Sequence, residues 1–97
     1  MKQTLPNGFK FIDVADMTQG HLEKWQRVFN ADYSAGQAVY DGAIVRATIA
    51  AGWFVECPWK VEDVAKQPIK GNLVPIVSSC VDDFYIAVKE FAAPDPN

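Results

Sequence analysis

The sequence predicts a mainly α fold, a small four-helix domain of three main helices and one short helix with an extended or short β N-terminal arm. Residues 34–54 open with a helix-start signal and carry small or apolar side chains on nearly every side, which is typical of a helix at the centre of an all-helical domain. Residues 73–92 have the clearest amphipathic period in the chain. Around Trp25, a third segment repeats apolar residues on one helical face.

The N-terminal arm, residues 1–16, precedes the first predicted helix. A Pro-Asn-Gly turn signal at residues 6–8 is followed by a partial alternation of Phe9 and Phe11, which Ile12 interrupts. This pattern predicts a short edge strand or an extended arm. Because no other strand is predicted, the arm either packs on its own domain, which we favour, or pairs with a strand of another chain.

The first helix is predicted over residues 19–30. Thr18 is a suitable N-cap, and Met17 and Leu22 occupy the two positions of a hydrophobic staple. His21 borders the apolar stripe near the start of this helix. We interpret it as a structural or surface histidine, because no cluster of Cys, Asp or Glu with a metal-ligand spacing surrounds it.

The second helix is predicted to begin at Ser34, where Gln37 completes a capping box, and to end at Gly52. Its apolar residues lie on two sides, so packing partners are expected on both. Arg46 is the unusual residue in this apolar segment. We favour an arrangement in which its stem covers apolar surface and its guanidinium reaches water, and a structural ion pair is the alternative.

Residues 53–59 are the densest aromatic stretch of the chain. We favour packing of their rings on the core, and an exposed anchor for a protein partner is the alternative, since tryptophan is enriched in interface hot spots. A short helix is predicted over residues 61–66, with Glu62 and Asp63 at its positive end, and Pro68 follows it. Stacking of nucleic-acid bases on these rings would need a basic surround, which the sequence lacks.

The last helix is predicted over residues 73–92, capped by Asn72 and with Pro75 in its first turn. Half of its circumference is apolar and the other half polar, apart from Ile86, which is a candidate for a second contact surface. Residues 93–97 are predicted to form a flexible tail. The apolar half contains Leu73, Ile76, Val77, Cys80, Val81, Phe84, Ala87, Val88 and Phe91, and the polar half contains Ser78, Ser79, Asp82, Asp83, Lys89 and Glu90.

Composition limits the class of protein. A chain of 97 residues predicts a single domain, assigned to residues 1–92. The net charge of −3 is too small for a DNA mimic and of the wrong sign for a nucleic-acid binder. No membrane span and no signal peptide are predicted, so a cytoplasmic location is expected. Cys57 and Cys80 form no CxxC motif and are interpreted as free thiols, although the sequence leaves a disulfide open.

No catalytic, cofactor-binding or metal-binding motif stands out, so a non-enzymatic protein without a cofactor is expected. Asp82 and Asp83 are adjacent and diverge by about 100° on a helix, which prevents the paired geometry of glycosidase carboxylates. We expect a protein partner, with self-association as an open alternative. The candidate interface residues are Phe9, Phe11, Trp53, Phe54, Trp59 and Ile86.

Four features along residues 40–90 carry a family resemblance. They are the Val-Arg-Ala segment at residues 45–47, the Ala-Gly-Trp segment at residues 51–53, the short helix ending before Pro68, and the amphipathic helix of residues 73–85. In this order the chain resembles small proteins of tailed bacteriophages and prophages that are encoded among the tail genes and described as tail assembly chaperone-like.

The resemblance implies a non-enzymatic protein that engages other tail components during virion assembly, and it supplies no catalytic residues. A phage-encoded modulator that binds and inhibits a host protein is the alternative. A small enzyme or ligand-binding domain is the least favoured hypothesis, because titratable groups do not cluster in the sequence.

Overall fold

Three α-helices and a two-stranded antiparallel sheet dominate the computed structural model, which describes residues 4–34 and 40–93. The predicted mainly helical domain is therefore confirmed for this part of the chain. In chain order the elements are β1 (Lys10–Phe11), a 3₁₀ turn (Val14–Asp16), α1 (Gln19–Ser34), α2 (Tyr40–Ala50), β2 (Phe54–Glu56), a short 3₁₀ helix (Val61–Lys66) and α3 (Val74–Ala92).

Helix α2 is the central element, as its composition predicts. It contacts α1, α3 and the short 3₁₀ helix. Small side chains let these neighbours approach closely, and removing apolar surface from water on several sides of one helix stabilises the fold. Almost no water reaches the middle of the helix, where the buried residues are Gly42, Ala43, Ile44, Val45, Ala47 and Thr48.

Gly52 ends α2 as predicted. Its φ of +76° lies in the left-handed region, where a residue with a Cβ is strained. The N–H of Gly52 donates to the carbonyl of Ile49 and that of Trp53 donates to the carbonyl of Thr48, both at 3.2 Å. These two bonds form a Schellman motif. The motif turns the chain directly from α2 into β2 and directs Trp53 into the core.

The N-terminal arm pairs within the chain. Strand β1 runs antiparallel to β2, with Lys10 opposite Glu56 and Phe11 opposite Phe54 and an irregular register between the two pairs. The aromatic pattern predicts no strand at residues 54–56, whereas the structure forms β2 there as the partner of β1. The favoured interpretation, that the arm packs on its own domain, is thus confirmed.

Helix α1 begins where the sequence predicts. The N–H of His21 donates to Oγ1 of Thr18 at 3.3 Å, and the N–H of Thr18 donates in return to Nδ1 of His21 at 3.0 Å. These two reciprocal bonds resemble those of a capping box in which an imidazole takes the place of the glutamate. Met17 and Leu22, the residues of the predicted staple, both pack against the core.

The end of α1 differs from the prediction. The helix continues four residues past Asn30 to Ser34, so Ser34 closes the first helix and does not open the second. Tertiary contacts in the added turn account for the extension, because Tyr33 packs edge-on against Tyr40 of α2 and Asp32 pairs with Arg46. Gln37, the second residue of the predicted capping box, lies outside the described residues. The described part of α2 begins at Tyr40.

Helix α3 matches its predicted bounds closely. The N-cap is Leu73, one residue after the predicted Asn72, and Oδ1 of Asn72 accepts the N–H of Val74 at 3.0 Å just before the helix. Three positions depart from the predicted faces, and one of them is Leu73, which belongs to the predicted apolar half and is exposed. Ser78, assigned to the polar half, is buried and donates to Oδ1 of Asp41 at 2.9 Å. Phe91, assigned to the apolar half, is exposed at the last turn of the helix.

The short helix forms over the predicted residues as a 3₁₀ helix, with Val64 buried against the core. Oδ2 of Asp63 accepts the N–H of Lys60 at 2.8 Å at its start. Residues 94–97 of the predicted tail lie outside the described residues. No helix within residues 4–34 and 40–93 combines the length and the apolar character that crossing a bilayer requires.

Candidate functional site

Most of the sequence-predicted interface residues pack into the molecule. Phe9 is 8% exposed and Trp53 is 2% exposed, so neither is available as a free surface anchor. Phe11, Phe54 and Trp59 are partly buried and pack against the core. Ile86, in contrast, is exposed on α3. The aromatic side chains of the arm and of residues 53–59 thus mainly join the N-terminal sheet to the helices.

A second aromatic cluster joins α1, α3 and the start of β2. The ring of Trp25 stacks on Phe29, with centroids 5.0 Å apart, and on Trp53, with centroids 5.6 Å apart. Trp53 in turn lies 6.3 Å from the ring of Tyr85 on α3. Aromatic pairs in such arrangements contribute beyond the area that they bury. The cluster therefore links α1 to α3 through aromatic rings in contact with each other.

Hydrogen bonds fix both indole rings of this cluster. Nε1 of Trp25 donates to the hydroxyl of Thr48 at 2.9 Å, and that hydroxyl donates to the carbonyl of Ile44 at 2.7 Å. Nε1 of Trp53 donates to the carbonyl of His21 at 3.1 Å. Since each donor has a partner, the rings are held without leaving a buried polar group unpaired.

A small pocket opens beside these rings, between α1 and α3. Its volume is about 110 Å³, and we call it the aromatic pocket. Trp53 contributes to it although almost all of that side chain is buried. The pocket is lined by Leu22, Trp25 and Gln26 of α1, by Trp53, and by Val81, Asp82 and Tyr85 of α3.

Asp82 places an exposed carboxylate at the aromatic pocket. Burial raises the pKa of Asp82, and the nearby carboxylates of Asp41 and Asp83 raise it further. Asp82 makes no hydrogen bond and no ion pair with the residues that the structure describes, whereas Asp41 accepts the bond from Ser78. The carboxylates of Asp41, Asp82 and Asp83 therefore lie close together at this side of the pocket, and the ammonium of Lys89 lies over the Tyr85 ring.

Replacing Asp82 by asparagine should stabilise the protein near neutral pH. Because the folded-state pKa lies above the ordinary 3.8, the contribution of Asp82 to stability is fully present below pH 3.8 and is lost as the pH rises through the folded-state pKa. We expect Asp82→Asn to raise the free energy of unfolding by roughly a few tenths of a kcal/mol at about pH 7, since solvent screens this exposed side chain. Urea unfolding at neutral and acidic pH measures the difference.

The matched control is Glu90→Gln, which makes the same charge change at an exposed carboxylate on the same helix. The gain from Asp82→Asn should shrink towards zero below pH 3.8, where aspartate is protonated in both the folded and the unfolded state. A loss of stability at neutral pH, or a gain of equal size at acidic pH, would contradict the expectation.

A wider groove lies on another side of α2, between that helix, the short 3₁₀ helix and the start of α3. Its volume is about 350 Å³, and Arg46 and Asp41 are among its lining residues. The guanidinium of Arg46 is already paired, because its Nε donates to Oδ2 of Asp32 at 2.5 Å. The charge of Arg46 is thus largely neutralised inside the fold.

This ion pair overturns the favoured sequence interpretation of Arg46. The side chains of Arg46 and Asp32 are only 19% and 28% exposed, so the guanidinium does not simply extend into water. The last turn of α1, which the sequence did not predict, brings the aspartate to it. Gly42 lies one turn earlier on α2, and a Cβ there would come within 3.4 Å of the guanidinium. A side chain at position 42 would therefore contact the arginine head group.

The chemistry-bearing residues of the sequence do not converge. His21 caps α1 and lines neither the aromatic pocket nor the wider groove that contains Arg46. Cys57 and Cys80 are free thiols, and burial raises the pKa of each, which disfavours the reactive thiolate. Among the described residues, no group of three His, Cys, Asp or Glu side chains is placed to hold a metal ion.

Comparisons with family models, with curated proteins and with solved structures give no match for this chain. Proposals about function therefore depend on its own residues. Of the residues that line the aromatic pocket, the sequence predicts Trp53 as a contact residue but not Trp25, Asp82 or Tyr85. One signal was present, because Asp82 and Tyr85 are three residues apart and so share a face of α3. The spacing within α3 could not show which residues of α1 lie opposite this face.

Proposed function

We propose that this protein is non-enzymatic and acts through contacts with another protein. The observation that supports the proposal is the aromatic pocket. Sites for metabolites and drug-sized ligands have volumes of about 300–1,000 Å³. The aromatic pocket, at about 110 Å³, is well below this range and suits one side chain of a partner. The wider groove at Arg46, at about 350 Å³, falls within the range, but its arginine is already paired with Asp32. Well-packed pockets that receive single side chains are typical of interface hot spots.

The rim of the pocket supports the same proposal. Tyr85 and Ile86 follow one another on α3, and both are exposed. Aromatic residues are enriched at protein interfaces, since one end of a tyrosine is apolar and the other forms hydrogen bonds. A partner that fills the pocket would also cover part of Tyr85, whereas Ile86 diverges from Tyr85 by about 100° around the helix and does not line the pocket.

For the partner, we propose a component of a phage tail, and virion tail assembly as the process. The resemblance along residues 40–90 supports this proposal, and the proposed contact surface is compatible with it. A phage-encoded modulator that inhibits a host protein is the alternative. The two hypotheses require different partners, but in both of them the partner binds at the aromatic pocket.

Size-exclusion chromatography with light scattering tests the proposal. The full chain is measured alone, with purified tail proteins encoded beside it, and with a purified host protein isolated on the immobilised chain. Self-association or a complex with a tail protein is the expected result. A monomer that binds only the host protein would contradict the assembly role and favour the modulator.

Paired variants show whether the complex uses the proposed surface. Tyr85→Ala removes an exposed ring at the aromatic pocket, and we expect it to weaken the complex by about tenfold or more. Phe91→Ala removes an exposed ring on the same helix away from the pocket and should leave the complex within about twofold. Equal effects of the two variants, or no complex with any protein, would contradict the proposed function.

A further inference from the structure

We propose that the aromatic pocket receives the basic side chain of a lysine or an arginine from the protein partner. This inference rests on the proposed function and adds the chemistry by which the partner is recognised. Three properties carry it: the volume of the pocket, the aromatic character of its walls, and the carboxylate of Asp82, which has no hydrogen bond or ion pair within residues 4–34 and 40–93.

The volume limits the occupant to one side chain of moderate size. An apolar cavity of about 150 Å³ holds a benzene molecule. The aromatic pocket, at about 110 Å³, is smaller than that cavity, so a tryptophan or a nucleobase exceeds it. The slender butyl chain of lysine with its ammonium group fits this space, as does the flat head group of arginine.

The walls favour a cation. Tryptophan is the aromatic residue that attracts an ammonium or guanidinium group most strongly, and tyrosine attracts it as well. Trp25, Trp53 and Tyr85 all line the pocket. The chain itself shows that one of these rings accepts an ammonium, because Nζ of Lys89 lies 5.0 Å from the centroid of Tyr85. The apolar stem of an inserted basic side chain would contact Leu22 and Val81.

The charge of the site selects against other occupants. An acidic side chain would meet like charge at Asp82, and an apolar one would form no hydrogen bond with this exposed carboxylate. The nearby carboxylates of Asp41 and Asp83 strengthen the attraction for a positive charge. A lysine or arginine head group instead donates charge-assisted hydrogen bonds to Asp82. The net charge of −3 makes the encounter with a basic surface more favourable.

The pocket is also held open in the shape that a ligand needs. Hydrogen bonds to Thr48 and to the carbonyl of His21 fix the indole rings of Trp25 and Trp53. A partner therefore binds rings that are already ordered, which reduces the entropic cost of forming the contact.

Nuclear magnetic resonance on the isotopically labelled full chain tests the inference. The probes are Nα-acetyl-lysine N-methylamide and Nα-acetyl-arginine N-methylamide, and the neutral control is the lysine compound acetylated at Nε. The three indole N–H resonances report separately on Trp25, Trp53 and Trp59, and Trp59 packs on Phe9 away from the pocket. We expect saturable shifts for Trp25 and Trp53 with at least one cationic probe, and an unchanged Trp59 resonance.

Two variants with the same change in net charge separate a local contact from general attraction. Asp82→Asn should weaken binding of the cationic probe by about fivefold to tenfold. Glu90→Gln should leave the binding within about twofold, because an exposed charge on another part of the helix is screened. Folding of each variant is checked in the same spectra. Equal shifts with the neutral control, or full binding by Asp82→Asn, would overturn the inference.

The two proposals fail in different ways. A protein complex in the chromatography experiment, with no response of Trp25 and Trp53 to the cationic probes, would overturn the basic side chain and leave the proposed function standing. Saturable binding of the probes without any protein complex would overturn the proposed function and, with it, the assignment of the cation to a protein partner.

Discussion

Trp53→Ala is expected to lower the free energy of unfolding by about 3–5 kcal/mol. The side chain is 2% exposed and contacts Trp25, Phe84 and Tyr85, so its removal leaves a cavity where the N-terminal sheet meets the helices. Domains of this size have a total stability of about 5–15 kcal/mol. The variant therefore loses a large part of its stability, which urea unfolding followed by circular dichroism measures.

Two further variants serve as references for the destabilisation caused by Trp53→Ala. Trp53→Phe keeps an apolar ring and loses the donor to the His21 carbonyl, so a smaller loss of about 1–3 kcal/mol is expected. Ile69→Ala removes an apolar side chain that is 89% exposed and should change stability by no more than about 0.5 kcal/mol. If Trp53→Ala is no more destabilising than Ile69→Ala, then Trp53 does not organise the core.

Helix boundaries set by neighbouring residues could be predicted from the sequence. The cap at Thr18, the glycine at position 52 and the asparagine at position 72 each form the short-range bonds that their residue types favour. The 3.6-residue period likewise predicts α3 almost to its ends. In each case the responsible interaction spans only a few residues, so local patterns suffice.

Features set by contacts distant in the sequence could not be predicted. Residues 54–56 form a strand because β1 lies beside them, and three residues are too few to show a period. The last turn of α1 is stabilised by contacts such as the pair of Asp32 with Arg46, which are fourteen residues apart. Ser78 is buried although its helical position predicts exposure, because Asp41 on α2 accepts its hydroxyl.

The candidate site shows the same division. The abundance of aromatic residues predicted that aromatic rings would belong to the contact surface, and Trp53 does line the aromatic pocket. The sequence could not decide which rings would reach the surface, because that depends on which faces of α1 and α3 oppose each other. Phe9 is consequently buried in the core, while Tyr85, which no pattern singled out, stands at the pocket rim.

Thr48→Val is the second substitution with a large expected effect, a loss of about 1–3 kcal/mol in the free energy of unfolding. Thr48 is fully buried, and its hydroxyl accepts from the Trp25 indole and donates to the Ile44 carbonyl. Valine has nearly the same shape, so no cavity forms. The loss arises because the Trp25 N–H keeps no partner in the partly buried cluster. Urea unfolding of the variant measures it.

A double-mutant cycle with Trp25→Phe isolates this bond. Phenylalanine removes the donor, so Trp25→Phe should be less destabilising by about 1 kcal/mol in the Thr48→Val background than in the original protein. Effects that add within about 0.5 kcal/mol would show that stacking alone holds the ring. A measurable coupling would instead mean that a core hydroxyl on α2 positions a wall of the aromatic pocket. Thr48→Val should then also weaken binding of the cationic probes, although Thr48 does not line the pocket.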